Sequence, residues 1–294
     1  MIFQDVRKNK NKTFVIVTFF FLFISLFVYF LVLYLSKGSF IAVPIALSIA
    51  IFTSFISYYN SDKIILTLNG ARPANSNQDL QLRNLLEGLC LATGLPMPKL
   101  YVINDTALNA FATGRNPEHA VICVTTGLIE RMDKYELEAV LAHELSHIRN
   151  YDILLQTIVT VMVGFVVIIS DWLFRYSFYS NRDRDSDSKS GGILLIIGII
   201  FLALSPIFAK LMQLALSRNR EYLADASAVE ITRNPDGMMN ALRNLTNDNE
   251  ALEAANKSCA SLYIVTPFKD KKKSSLWSTH PALEDRIKRL KNIN

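Results

Sequence analysis

The sequence predicts a mainly α integral membrane protein with a small β-sheet. Three observations lead there. Hydrophobic residues make up 51% of the 294 positions, charged residues only 19%, and the mean hydropathy is +0.24. Soluble domains carry about a quarter charged residues, so charge must be missing from particular stretches. Two of these are plain: 13–36 contains no Asp, Glu, Lys, Arg or His, and 38–61 repeats the pattern after Lys37. Each exceeds the roughly 20 residues with which a helix crosses a bilayer. The polar remainder shows helical periodicity interrupted by short strand-like runs.

The first stretch is too long for a cleaved signal peptide and a second follows at once, so both are expected to span. Arg7, Lys8, Lys10 and Lys12 precede them, against one cation in the connecting loop. Positive residues favour the cytoplasmic side, which places the N-terminus and everything from residue 62 there. Two shorter apolar stretches, 153–170 and 190–209, are of minimal spanning length and are expected to form a second transmembrane hairpin. Buried core helices are the alternative. The loop between them holds Arg175, Arg182, Arg184 and Lys189, so orientation rests on the first pair. Asp171 beside Trp172 suits an interfacial position. Four parts result: transmembrane 1–61, polar 62–152, apolar 153–216 and polar 217–294. The two polar parts share one side whether the middle hairpin crosses or only dips.

Within the first polar part, Asp79 to Ala92 has helical periodicity and stops near Gly94-Leu95-Pro96. Lys99–Ile103 and Ala120–Thr125 are expected strands, the second closed by Gly127. A helix is expected from Met132, with Asp133 as its cap and Glu136 three residues on in capping-box spacing.

Composition also excludes. The net charge of +5 lies largely beside apolar segments, and Lys271 to Lys273 suit anionic headgroups or solvent, so no nucleic-acid partner is predicted. Cys90, Cys123 and Cys259 show no C-x-x-C spacing, which indicates neither a disulfide framework nor a thiolate metal site. A transporter would place ionisable groups at mid-span, and the first two spans have none.

The chemistry lies in the capped helix, as His143-Glu144-Leu145-Ser146-His147. Histidines four apart share a helix face, with Cβ atoms about 5–6 Å apart, and two imidazoles so placed can bind one Zn²⁺. Glu144 is rotated away from that pair and can take the proton of a water that the ion polarises. A catalytic zinc needs a third protein ligand. The helix bearing the motif runs into the third apolar stretch, so a partner should emerge from the fourth. There Glu221 and Asp225 lie four apart on one helical face. One can bind the metal while the other accepts the second N–H of a ligand histidine.

The HExxH helix, the Arg220-Glu221-x-x-Ala224-Asp225 run and the apolar hairpin between them resemble the HtpX-type membrane zinc metalloproteases. These are gluzincins related to the CAAX prenyl proteases. The resemblance extends over nearly the whole chain, including Asn109-Ala110-Phe111-Ala112 and Thr279-His280-Pro281 with Arg286 beyond. It implies a zincin-like metalloprotease domain with one Zn²⁺ per chain, Glu221 as third ligand and Asp225 orienting an imidazole. It implies that Asn109 to Ala112 form an edge strand for an extended substrate. It also implies a role in quality control of damaged membrane proteins, at the cell membrane with the catalytic part facing the cytoplasm. A narrow-specificity processing protease of prenylated or signal-type peptides is the alternative. His280 is expected near the zinc as an oxyanion donor, or else as a turn residue before Pro281. Arg286 pairs with Asp225 or Glu221, or is a surface cation.

Overall fold

The computed structural model describes residues 58–75, 79–161, 218–256, 259–265, 267 and 281–292, with isolated positions before residue 53 and at 175 and 200. Apart from those isolated positions, the stretches 13–36 and 190–209, most of 38–61 and the second half of 153–170 lie outside the described residues. So do Asp171, Trp172, Lys271 to Lys273 and His280. Among the described residues no helix is long and apolar enough to cross a membrane.

A short helix α1 (Ser61–Leu68) leads to β1 (Arg72–Pro73) and then α2 (Leu80–Thr93). Gly94, at φ 69°, ends α2 in the left-handed conformation that glycine adopts without strain. After β2 (Lys99–Ile103) come β3 (Ala110–Gly114) and β4 (Ala120–Thr125), with a 3-10 turn at Pro117–His119 between them. The sheet order is β1-β2-β4-β3. β2 and β4 run parallel, and each outer strand is antiparallel to its neighbour.

Side chains alternate across a strand, and here each face of the sheet has its own core. Val102, Ile122 and Val124 pack on one side with Leu82, Leu86, Leu141 and Leu145. Ile103, Val121, Cys123 and Phe111 face the other, against Ile65, Leu262 and Tyr263. Both faces of β4 are therefore covered, which accounts for its unbroken apolar run.

Where a closing glycine is expected after β4, the chain turns into a further helix, α3 (Thr126–Arg131). Thr125 caps it by accepting from Leu128 N–H, at 3.2 Å. Gly127 is required there for proximity: a Cβ would stand 2.0 Å from the Thr106 carbonyl oxygen. The motif helix α4 (Lys134–Arg149) then begins with a complete capping box, Asp133 accepting from Glu136 N–H and Glu136 from Asp133 N–H. The other Glu136 oxygen accepts from the Asn244 side chain, at 2.9 Å, fastening the start of α4 to the second polar part.

From Ala139 to Ile148, α4 is buried on every side. Asn150 ends it, Tyr151 takes a left-handed φ of 58°, and the chain is helical again over 152–161. The second polar part supplies α5 (Arg218–Thr232), packed along α4, then α6 (Pro235–Asn247) and α7 (Leu283–Lys291). Asn234 caps α6 by accepting from Gly237 N–H. Met238, Leu242 and Leu290 join the core that holds α4.

Candidate metal centre

The two histidines of α4 meet at their Nε2 atoms, 3.2 Å apart, with ring centroids 4.8 Å apart. Glu221 of α5 approaches both: one carboxylate oxygen lies 3.6 Å from His147 Nε2 and the other 3.7 Å from His143 Nε2. All three side chains are buried. Among the described residues this is the group of His, Cys, Asp and Glu side chains able to hold a metal ion.

The remaining ring nitrogens are also held. His143 Nδ1 lies 3.0 Å from Asp225. Arg286, with no exposure to solvent, grips that same Asp225 through both its Nε and a terminal nitrogen. Its other terminal nitrogen is 3.4 Å from Glu221. Arg286 is thus an interior ion-pair residue touching both carboxylates, which rules out a surface cation. α7 can place it there because its apolar positions face α5 and α6 while Arg286 points inward with Leu290.

His147 has a matching partner that sequence reasoning missed. Its Nδ1 lies 3.2 Å from Asp152, whose other oxygen is 3.3 Å from Arg220. No helical spacing rule reaches Asp152, because the left-handed Tyr151 turns the chain back between them. The available signal was an acidic residue directly after the end of the motif helix. Arg220 is visible only as the neighbour of Glu221.

Glu144 is buried beside this group, and burial raises its carboxyl above the ordinary range despite the opposing pull of the imidazoles. For His143, burial disfavours the charged ring, yet the Asp225 and Glu221 carboxylates outweigh it and hold its pKa up at about 9. Burial likewise opposes ionised Asp225, but the Arg286 guanidinium draws its pKa below the usual 3.8. Four carboxylates (Glu144, Asp152, Glu221, Asp225) gather around the two imidazoles with only two arginines, an acidic surplus that suits a cation.

Ala110 to Ala112 lie on β3, an outer strand packed against α4, and Asn109 directly precedes it. Asn109 itself is buried, its side chain donating to the Val265 carbonyl at 2.9 Å, and Ile264 N–H donates to Ala110 O at 2.9 Å. Ala110, Phe111 and Ala112 are buried as well. His280 lies outside the described residues.

The model of peptidase family M48 matches residues 76–294, a span that holds both motif histidines, Glu221 and Arg286. The chain belongs to peptidase family M48. This M48 peptidase is 43% identical to a protease HtpX homolog of Dictyoglomus thermophilum, over 98% of its own length and 94% of that protein's. It is 42% identical to the HtpX homolog of Lactobacillus helveticus with both chains fully covered, and 40% to that of Listeria monocytogenes. Its fold is similar to the crystal structure of S. mikatae Ste24p, with a TM-score of 0.53 at 20% identity, covering 90% of this chain and 62% of that one. It is a metalloprotease, a hydrolase whose chemistry implies a metal.

Replacing Arg286 with Met should strand Asp225 as an unpaired buried charge and cost about 3–5 kcal/mol of stability at neutral pH. Because the folded Asp225 pKa is depressed, the pair's contribution is complete above about 3.8 and lost as pH falls through the folded value. Without the arginine, only His143 opposes the effect of burial, so the Asp225 pKa rises and the variant regains stability on acidification. Denaturant midpoints measured from pH 7 down to 3 should therefore converge. A constant gap would mean that Arg286 contributes through packing instead.

Proposed function

We propose that this M48 peptidase is a membrane-bound zinc endopeptidase that cleaves misfolded or damaged membrane proteins. The observation that carries the proposal is the meeting of His143, His147 and Glu221 at one buried point. Four donors around a tetrahedral zinc at ~2.0–2.1 Å stand about 3.3–3.4 Å from one another. The separations of 3.2, 3.6 and 3.7 Å among these three match that spacing. Two imidazoles and a carboxylate are also the donor set of a catalytic zinc, which keeps its fourth position open.

When bound, the ion supplies a polarised water and polarises the scissile carbonyl. The chain's own residues do the rest. Asp225 and Asp152 hold the two imidazoles in the tautomer that turns Nε2 toward the ion. Arg286 and Arg220 fix those two carboxylates in turn. Glu144 takes the water's proton as attack proceeds and returns it to the departing amine. Its raised pKa brings the carboxyl toward the range where proton exchange near neutral pH is efficient. The 109–112 run is the substrate strand's neighbour, sharing that edge with residues 264 and 265, which hold Ala110 and Asn109, and His280 is a donor to the oxyanion.

The membrane assignment is supported by the four apolar stretches and the cations before the first. On this reading 62–152 and 217–294 face the cytoplasm. Thiol-reactive labelling of a cysteine placed at exposed Lys134, in a background lacking the three native cysteines, should occur only after the membrane is opened. Labelling of sealed cells by an impermeant reagent would reverse the orientation.

Purified Glu144→Gln should retain zinc while its cleavage of a destabilised membrane protein falls roughly 10²–10⁴-fold. Wild-type turnover in the variant would remove Glu144 from the mechanism. The wild-type enzyme should cut the destabilised substrate at several bonds and spare its folded form. A single cut in a processed peptide would favour the narrow-specificity alternative.

Glu221→Ala should bind zinc less tightly and lose stoichiometric occupancy on dialysis against buffered zinc. Unchanged zinc content would transfer the third ligand position to Asp225 or His280.

A further inference from the structure

A cavity of about 200 Å³ opens between the start of α1, the start of β2 and the β3–β4 connection. Its walls carry Lys63, Lys99, Arg115 and His119 against one acidic side chain, Asp62. These residues play no part in the metal centre.

The three cations, Lys63, Lys99 and Arg115, come from three separate elements, and the connection that brings Arg115 and His119 is closely built. Gly114 sits at φ 132°, and a Cβ there would stand 2.3 Å from the His119 carbonyl oxygen, so the turn closes tightly on itself. The Asn116 side chain accepts from His119 N–H at 3.0 Å and lies 2.7 Å from the His119 ring Nδ1. Arg115 lies over the Tyr59 ring, 4.9 Å from its centre, and donates to the Tyr59 carbonyl at 3.4 Å. The arrangement therefore fixes two of the four basic groups relative to the cavity.

We propose that this cavity binds a phosphate group, supplied by the headgroup of an anionic phospholipid. Cations converging from three directions suit a tetrahedral anion with several oxygens, whereas a carboxylate is met in its plane by one arginine fork. The lipid source follows from position. Tyr58 and Tyr59 form an edge-to-face pair 5.2 Å apart, both exposed, at the end of the apolar 38–61 stretch. Exposed tyrosines there fit the headgroup level of a membrane, where basic side chains also meet anionic lipid. The choice of lipid rests on the membrane reading above; the phosphate site does not.

The test is thermal unfolding of the full chain in neutral detergent, at constant ionic strength. Short-chain phosphatidylglycerol, short-chain phosphatidylcholine and inorganic phosphate are each added separately. Phosphatidylglycerol should raise the midpoint by about 3 °C or more at saturation, and phosphatidylcholine should not. The Lys99→Ser/Arg115→Gln protein should lose that shift. A charge-matched Lys134→Ser/Arg243→Gln protein, altered at exposed positions elsewhere, should keep it. A shift with inorganic phosphate alone, lost in the Lys99/Arg115 variant, upholds the phosphate site and overturns its lipid source. Equal shifts in both variants, or no difference between the two lipids with phosphate inactive, overturns the site. Proteolysis is never read, so the outcome is independent of the zinc assignment.

Discussion

Charge in an apolar interior is the constraint around which this molecule is organised. Burying an ionised carboxylate is unfavourable by several kcal/mol unless a partner lies close. The M48 fold here buries Glu144, Asp152, Glu221 and Asp225 together. Each imidazole of the pair has its own carboxylate, and each of those carboxylates has its own arginine. The two chains of contact run in parallel, His143–Asp225–Arg286 and His147–Asp152–Arg220. Their symmetry explains why α4 can be buried on every side although it carries the reactive groups. The polar atoms face inward to one another, and leucines and alanines seal the rest.

That arrangement is assembled from distant parts of the chain. α4 supplies His143, Glu144 and His147, the turn after it supplies Asp152, and Arg220, Glu221, Asp225 and Arg286 come from beyond residue 217. The joint between the two polar parts is made by packing as much as by charge. α5 lies along α4, and Glu136 serves both the cap of α4 and the Asn244 amide of α6. Because one carboxylate does both tasks, the entry of the motif helix and the docking of α6 are one structural event.

Much of this was legible beforehand, for identifiable reasons. β2 and β4 follow their apolar runs from Lys99 to Ile103 and Ala120 to Thr125. Asp133 and Glu136 mark the start of α4 because capping chemistry is local. The histidine pair was legible because helix geometry alone sets its spacing. What was hidden depended on non-local or irregular backbone. α3 was hidden because Gly127, a turn signal by composition, is there for its close approach to Thr106. Asp152 was hidden by a left-handed tyrosine. The depth of Arg286 could not be inferred, since α7 is strongly charged and only its partners reveal which cation turns inward. Asn109 was expected beside a bound substrate, yet its side chain ties down residue 265 of the same chain.

The place of Arg286 in the chain carries a temporal consequence. It belongs to α7, the last described helix, while the carboxylates it neutralises lie some sixty residues earlier, on α5. During synthesis the histidines and acids emerge first, and the cation that lets Asp225 stay ionised in the interior emerges after them. A ribosome-bound chain therefore holds an electrostatically unfinished centre until α7 docks.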